Sequence, residues 1–219
     1  MNPSLVGSEM CIRDRCLTLK QIEANYAYLA NSSNSTTSLL KACNTVGVNV
    51  QFMTNVWGVD VRVIKATGEA ANGVVFAVRT SSVWGDKNSG MEIIKKISAI
   101  SGKQDTYRSV HYIAAVCTML YMAEAMEIAM SEDNFTGEGI RNAMYEKEGW
   151  VPKGSEGVCL PSTWTNEDHR GLMQVPIYKV KVNGSTAKKG VDELMSTKVI
   201  ELLKDDQITL PRRPEWRGY

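Results

Sequence analysis

The side chains able to do covalent or acid–base chemistry are few in this 219-residue chain, and their spacing does not bring them together. There are two histidines, His111 in a long apolar stretch and His169 in a polar one, and no HExxH pair that would seat a zinc ion. Asp168-His169-Arg170 sets an acid beside a base, but adjacent residues rarely face each other productively, and a turn held by side-chain hydrogen bonds is the expectation there. Gly137-Glu138-Gly139 lacks the third glycine of a dinucleotide loop, and no GxSxG elbow is present. The five cysteines, Cys11, Cys16, Cys43, Cys117 and Cys159, form neither a CxxC pair nor a recognisable disulfide framework. Two of them fall on predicted helix faces, where they read as small buried hydrophobes. Sequons at Asn31, Asn34, Asn134 and Asn183 are expected by chance in a chain this rich in serine and threonine. No catalytic set, metal site or cofactor is expected. The chemistry left is recognition, by the hydrogen-bonding groups and one large ring of Asn31-Ser32-Ser33-Asn34 and Thr54-Asn55-Val56-Trp57.

Those two groups sit at matching places in a repeating pattern. Tyr26, Tyr28 and Leu29 have strand propensity. Ser35 or Thr36 can cap a following helix whose apolar face is Leu39, Leu40, Cys43 and Val46, and Gly47 suits its left-handed end. Val48, Val50, Phe52 and Met53 form a second strand. Two strands joined by a helix over about thirty residues predict a right-handed βαβ unit with parallel strands. Ligands bind such sheets at the carboxyl ends of the strands, which here carry Asn31 to Asn34 and Thr54 to Trp57. The pattern then recurs. Asp60 caps a helix with Val61, Ile64, Thr67 and Ala71 inward, Asn72-Gly73 ends it, and Val74, Val75, Phe76 and Val78 make a third strand. Ser89 caps a helix with Met91, Ile94, Ile97 and Ile100 inward and Glu92 and Lys96 paired outside, closed by Gly102.

Beyond this the character changes. Residues 107 to 130 predict one long helix, apolar on most sides, with Ile113, Cys117, Leu120, Glu124 and Ile128 on one stripe and Met119, Met122, Met126 and Met130 on a second, packed stripe. Thr136 caps a shorter helix with Phe135 stapled to Ile140. A long Gly/Pro/Ser/Trp-containing stretch, 149 to 171, leads to a strand over 174 to 182, and the tail holds a helix around 192 to 203. Hydrophobic content of 43%, charged content of 22% and a net charge of +1 describe an ordinary globular chain with no bias toward nucleic acid or an anionic membrane. The longest apolar run, 113 to 123, is too short to span a bilayer, and no secretion signal is visible at the start.

Residues 1 to 15, MNPSLVGSEMCIRDR, lack a usable periodicity, and the string SLVGSEMCIRDR resembles a translated sequencing-adapter read-through. They are expected to be a disordered, non-native scar, with the natural protein beginning upstream. From there on, SLLKACNTVGVNVQFMTNVWGVD, GEAANGVVF, TYRSVHYIAAVCTMLYMAEAM, FTGEGIRNAM and the STWTNEDHRG turn together resemble the carboxyl-terminal half of a type I periplasmic solute-binding protein of ABC importers, in the branched-chain amino acid or amide group. The resemblance covers nearly everything from 17 to 182. It implies an α/β fold in which Rossmann-like parallel sheets with flanking helices form two lobes that close on a ligand by a hinge, here incomplete because most of the first lobe is missing. It assigns 16–103 to the second lobe, 104–182 to a segment returning to the first, and 183–219 to a tail that crosses back.

The implied function is that of a non-enzymatic, extracytoplasmic solute-binding component, periplasmic or lipid-anchored at the cell surface in the full-length protein and monomeric when complete. It would deliver a small amino acid-like or amide-like solute, or a related small acid, to a membrane permease. A sensory ligand-binding domain of a receptor or regulator is the alternative on the same fold, and an α/β enzyme using Asp168 and His169 a more distant one. Ligand contacts carried over by position are Asn31, Ser32, Ser33, Asn55, Trp57 and Asp60. Leucine-binding relatives hold the ligand ammonium with an acidic side chain in the second loop, and Asn55, Val56 and Trp57 stand in that place here. The departure favours a carboxamide-like or aromatic ligand group stacked on Trp57 over an α-amino acid.

Overall fold

The computed structural model describes residues 3–102, 106–172, 174–182, 200–202 and 208–209. These divide into two compact units: Met1–Ala77 with Ile177–Leu203, and Val78–Pro176 with Lys204–Tyr219. The units differ in extent from the segments expected. The chain leaves the first unit at Ala77 rather than near 103, because Met91 and Ile94, both fully buried, pack into the same core as Ile113, Cys117 and Tyr121.

The first unit is a layered α/β arrangement, as the alternation predicted. Helix α1 (Pro3–Gln21) leads to strand β1 (Tyr26–Leu29), helix α2 (Ser33–Thr45), strand β2 (Gln51–Thr54), helix α3 (Val61–Thr67) with a 3-10 turn over Gly68–Ala71, and strand β3 (Val75–Ala77). Strands β1, β2 and β3 pair in parallel, with Tyr26 opposite Gln51, Leu29 opposite Thr54 and Met53 opposite Val75. The sheet is completed by antiparallel strands: β7 (Ile177–Val180) lies beside β3, and β8 (Ile200–Leu202) beside β7. Leu29, Leu40, Cys43, Val61, Ile64, Val74, Phe76 and Val180 form the buried apolar centre. On the edge strand β1 the alternation turns Leu29 inward and leaves Tyr26 and Tyr28 exposed.

Several local expectations are corrected. The region from Pro3 is helical rather than disordered: α1 runs unbroken through the junction at Cys16, with proline tolerated at its first position. Helix α2 is capped at Ser32, earlier than Ser35 or Thr36. Asn88, not Ser89, caps α4 (Ser89–Ile100), its side chain accepting from the Met91 amide, and Ile100, about two and a half turns beyond Met91, lies on the opposite face, 86% exposed. The outer ion pair is Glu92–Lys95, 3.3 Å, one residue short of Lys96. Most of the tail helix expected over 192 to 203 lies outside the described residues, and Ile200–Leu202 are strand. The strand expected over 174 to 182 is split by the buried Pro176, whose missing N–H interrupts the ladder, into β6 (Gln174–Val175) and β7. Strand β6 pairs with β9 (Ile208–Thr209).

The second unit is built around α5 (Val110–Ser131), with α4, α6 (Gly137–Tyr145) and the hairpin of β4 (Ser162–Thr165) and β5 (Asp168–Leu172). Helix α5 is long and apolar enough to cross a membrane by length and composition. Its polar side chains have partners inside the unit, however. The Tyr121 hydroxyl lies between the Trp150 carbonyl, at 2.9 Å, and the Leu160 carbonyl, its one proton shared by the two acceptors. Glu124 accepts from Trp150 Nε1 at 2.8 Å and from the Lys153 amide, with Lys147 Nζ 3.6 Å away. The rings of Tyr121, Trp150 and Trp164 meet edge to face. The stripe beginning at Ile113 faces this core, whereas the methionine stripe, expected to be packed, turns outward: Met119 is 66% and Met130 62% exposed.

Two disulfides fasten these layers, a framework the cysteine spacing did not reveal. Cys16–Cys43 ties α1 to α2, and Cys117–Cys159 ties α5 to the segment before β4. The Cα pairs, 4.9 and 5.5 Å apart, fit the geometry such bonds require. The crosslinks close loops of 27 and 42 residues, and in the chain-entropy account each contributes about 2–4 kcal/mol by restricting the unfolded chain. A denatured, non-reduced sample should therefore titrate a single thiol, and reduction should lower the unfolding midpoint; titration of more than one thiol would contradict the pairing.

Burial also sets an alkaline limit. Desolvation raises the Tyr121 phenol above its ordinary value; the nearby Glu124 carboxylate acts in the same direction and a hydrogen bond with Ser162 opposes it. A raised folded value means that the stabilisation is complete below the unfolded pKa, about 10, and is lost as pH rises through the folded one. Unfolding free energy followed from pH 9 to 11 should fall more steeply for the wild-type chain than for Tyr121→Phe. That variant should also lose about 1 kcal/mol at neutral pH, the net worth of one hydrogen bond, because the Trp150 and Leu160 carbonyls keep their bonds from the Ser162 amide and hydroxyl.

Candidate functional site

Parallel pairing of β1 and β2 brings the ends of both strands to one edge of the sheet. The connection after β1 enters α2 at once: Ser32 is the extended cap, its carbonyl accepting the Thr36 amide, and Ser33 opens the helix. The connection after β2 is a tight turn. Asn55 Oδ1 accepts the Trp57 amide at 2.8 Å, and the Asn55 carbonyl accepts the Gly58 amide at 3.1 Å and the Thr54 hydroxyl at 2.9 Å. Gly58 is required there, because an added Cβ would lie 2.2 Å from Thr54 Oγ1. The two connections are joined directly by the Ser33 hydroxyl, which donates to the Trp57 carbonyl at 2.8 Å. Trp57 itself is 51% exposed.

Of the six residues the sequence singled out, Ser33, Asn55 and Trp57 are thus brought together, and Ser32 and the half-buried Asn31 stand on the same β1–α2 connection. Asp60 has a different setting. It is 7% exposed and caps α3, with Oδ1 accepting the Arg62 amide at 2.7 Å and the Val63 amide at 3.1 Å. It also borders an open groove between α2 and α3, shared with Ser33, Asn34, Thr37, Ser38 and Arg62. Sequence reasoning placed Asn34 in the strand-end run but missed Thr37, Ser38 and Arg62. The signal was the i,i+4 spacing of Ser33 with Thr37 and Asn34 with Ser38, which lays them along one face of α2. The Thr37 and Ser38 hydroxyls donate to the carbonyls of Ser33 and Asn34 one turn back.

In the other unit, Asp168 and His169 each bond a different neighbour. The Asp168 carboxylate is bonded by Arg170 at 2.8 and 3.0 Å, His169 Nε2 lies 2.8 Å from the Tyr145 hydroxyl, and Thr165 Oγ1 accepts the Glu167 and Asp168 amides at the hairpin turn. That is the side-chain-bonded turn expected. Among the described residues no three His, Cys, Asp or Glu side chains converge as a metal site.

The family model described as periplasmic binding protein matches residues 14–189. The chain belongs to the periplasmic binding protein family. No curated protein matches it, but solved structures do. A branched-chain amino acid ABC transporter protein from Thermus thermophilus with bound valine is 16% identical, with a TM-score of 0.70 over 88% of this chain and 48% of the other. An ABC transporter substrate-binding protein from Aeropyrum pernix is 17% identical, with a TM-score of 0.72 over 94% and 50%. The leucine-binding protein LivK from Thermotoga maritima is 12% identical, with a TM-score of 0.62 over 90% and 48%. At these identities the likeness is one of fold, the type I periplasmic-binding-protein fold, and the chain spans about half the length of these structures.

The capping geometry separates two roles for Asp60. Asp60→Asn should keep most of the stability, because an amide oxygen still caps α3, whereas Asp60→Ala should cost about 1 kcal/mol in chemical unfolding. Equal losses in the two variants would show that the carboxylate charge matters beyond the cap.

Proposed function

We propose that the chain is part of the solute-binding component of an ABC importer, acting outside the cytoplasm. Its solute would be a small amino acid-like or amide-like compound bound at the carboxyl ends of β1 and β2. The observation that carries this reading is the Ser33–Trp57 hydrogen bond: it ties the two strand-end connections together and leaves a half-exposed indole beside uncharged hydrogen-bonding groups. Such a surface suits a planar, polar, uncharged ligand group, stacked on the ring and bonded at its edge.

Two further features support it. The cap at Asp60 engages the acidic side chain nearest this edge in sequence, and Asn55, Val56 and Trp57 add no carboxylate, so an ammonium group has no evident partner on the second loop. The two disulfides suit an oxidising compartment. In this reading the two compact units belong to the two lobes of a longer binding protein, the chain passing from one to the other at Ala77–Val78 and back at Pro176–Ile177. A membrane permease is the partner, and the role is binding rather than turnover.

A thermal-shift screen against amino acids, their amides and small acids tests this. The reading expects stabilisation by an amide, at least a tenfold loss of affinity in Trp57→Ala, and a smaller loss in Ser33→Ala, where the loops stay in place but their tie is gone. A screen without any stabilising compound, or binding indifferent to Trp57, would count against it.

A further inference from the structure

Helix α5 presents to solvent a face that the reading above does not use. Ala115, Met119, Met122, Ala123, Met126 and Met130 fall within an arc of about 100° at 3.6 residues per turn. No charged residue interrupts that arc. Met119, Met122 and Met130 are 66%, 39% and 62% exposed, Ala115 and Ala123 are exposed, and Met126 is half-buried. A contiguous apolar strip of this kind marks a contact surface, and its flexible thioethers adapt readily to a partner. We propose that this face is a dimer interface, on which a second copy of the chain lays its own α5 antiparallel.

Spacing, packing and charge each select a second α5 as the occupant. Tyr112, Ala115, Met119, Met122 and Met126 follow one another at alternating steps of three and four residues, the spacing of a two-helix seam. A two-fold axis crossing the seam between Met119 and Met122 makes each Met119 face Met122 of the other copy. The same axis sets Ala115 against Met126, small against large, and the Tyr112 ring against the Met130 thioether. The ends of the helix fix the direction. Glu127, Glu132 and Asp133 are exposed at the carboxyl end of α5, the negative end of its dipole, where acids are disfavoured. Arg108 stands at the amino end, over the Tyr112 ring at 4.6 Å and bonded to the neutral hydroxyls of Ser98 and Ser101. Antiparallel packing brings the amino end and Arg108 of each copy beside the acidic end of the other, whereas parallel packing would bring like charges together. The inner face of α5 is already committed, since Tyr121 and Glu124 bond within their own unit, so the helix meets a partner with this outer face alone.

Analytical ultracentrifugation of the intact chain across the micromolar range tests the proposal, because a single helix seam lies at the small end of specific interfaces. A reversible monomer–dimer equilibrium is expected. Met119→Glu, which sets like charges across the axis, should raise the dissociation constant at least about tenfold. Ile100→Glu, at an exposed apolar residue of α4 outside the seam, should leave it unchanged. In a Cys11→Ser background, Met119→Cys and Met122→Cys chains, mixed and oxidised, should form a disulfide-linked dimer. Met130→Cys chains should not link to one another, since two antiparallel copies hold that position about 28 Å apart at 1.5 Å per residue. A chain that stays monomeric, a dimer indifferent to Met119→Glu, or an equal loss in Ile100→Glu overturns the proposal. Linked Met130→Cys dimers would overturn the antiparallel arrangement, and a monomer that binds phosphatidylcholine vesicles through this face would overturn the dimer in favour of a lipid surface.

Discussion

Everything at the strand-end surface depends on the register of β1 against β2. Leu29 pairs with Thr54, so both strands end level and their connections start from the same edge. A slip of one residue would reverse every side chain of β1, exposing Leu29 and burying Tyr28. The register is held because one face of the sheet is buried and the other is not, and Leu29 at 5% exposure against Tyr28 at 62% marks that difference. Toward β1 the Gln51 backbone N–H donates to the Asn25 carbonyl at 3.0 Å, while its side-chain amide ties β2 to the Gly73 carbonyl before β3 at 2.8 Å. Only with the ends level is Ser33 close enough to donate to the Trp57 carbonyl.

The second unit meets a different constraint. It has three helices and only short strands among the described residues, so α5 has no broad sheet to lie on. Its inner face is instead held by specific links: a disulfide at Cys117, the Tyr121 hydroxyl on two carbonyls, and the Glu124 carboxylate on the Trp150 indole and the Lys153 amide. Aromatic rings in edge-to-face contact fill the space between these links. Removing the Glu124 carboxylate would take the acceptor from the Trp150 indole N–H, so this part of the cluster depends on α5 being in place.

The order of elements was legible in the sequence because periodicity and caps are local. The strands at Tyr26–Leu29 and Val75–Ala77, the Asp60 cap and the left-handed Gly47 and Gly102 each follow from a few neighbouring residues. What was not legible is what long-range packing decides. Cys16 and Cys43 are too far apart in sequence for spacing to announce the bond that α1 makes with α2. Met119 and Met130 were expected to be packed because they are apolar, but α5 presents that stripe outward. Asn88 displaced Ser89 as a cap because its side chain also bonds Ser82, a contact six residues back. At the candidate site the residue types were readable, and so was their common edge. The Ser33–Trp57 link was not, since it joins a side chain to a carbonyl 24 residues away.

The same distinction bears on what the strand-end surface can recognise. A side chain that caps or ties the scaffold is partly withdrawn from ligand recognition. Asp60 Oδ1 is engaged by two amides, Ser33 Oγ by the Trp57 carbonyl, and Asn55 Oδ1 by the Trp57 amide. Each of these bonds fixes the loops, and each removes one donor or acceptor that a list of residue types would count as available. The other polar and aromatic groups at this edge, the Asn55 amide nitrogen, the Ser32 hydroxyl, the Asn31 side chain and the half-exposed indole of Trp57, are all uncharged. Charge recognition at this edge would have to compete with the α3 cap, and losing the cap would loosen the helix that begins beside the site. The sequence therefore places an acid near the strand-end surface, and the fold uses it to hold that surface together.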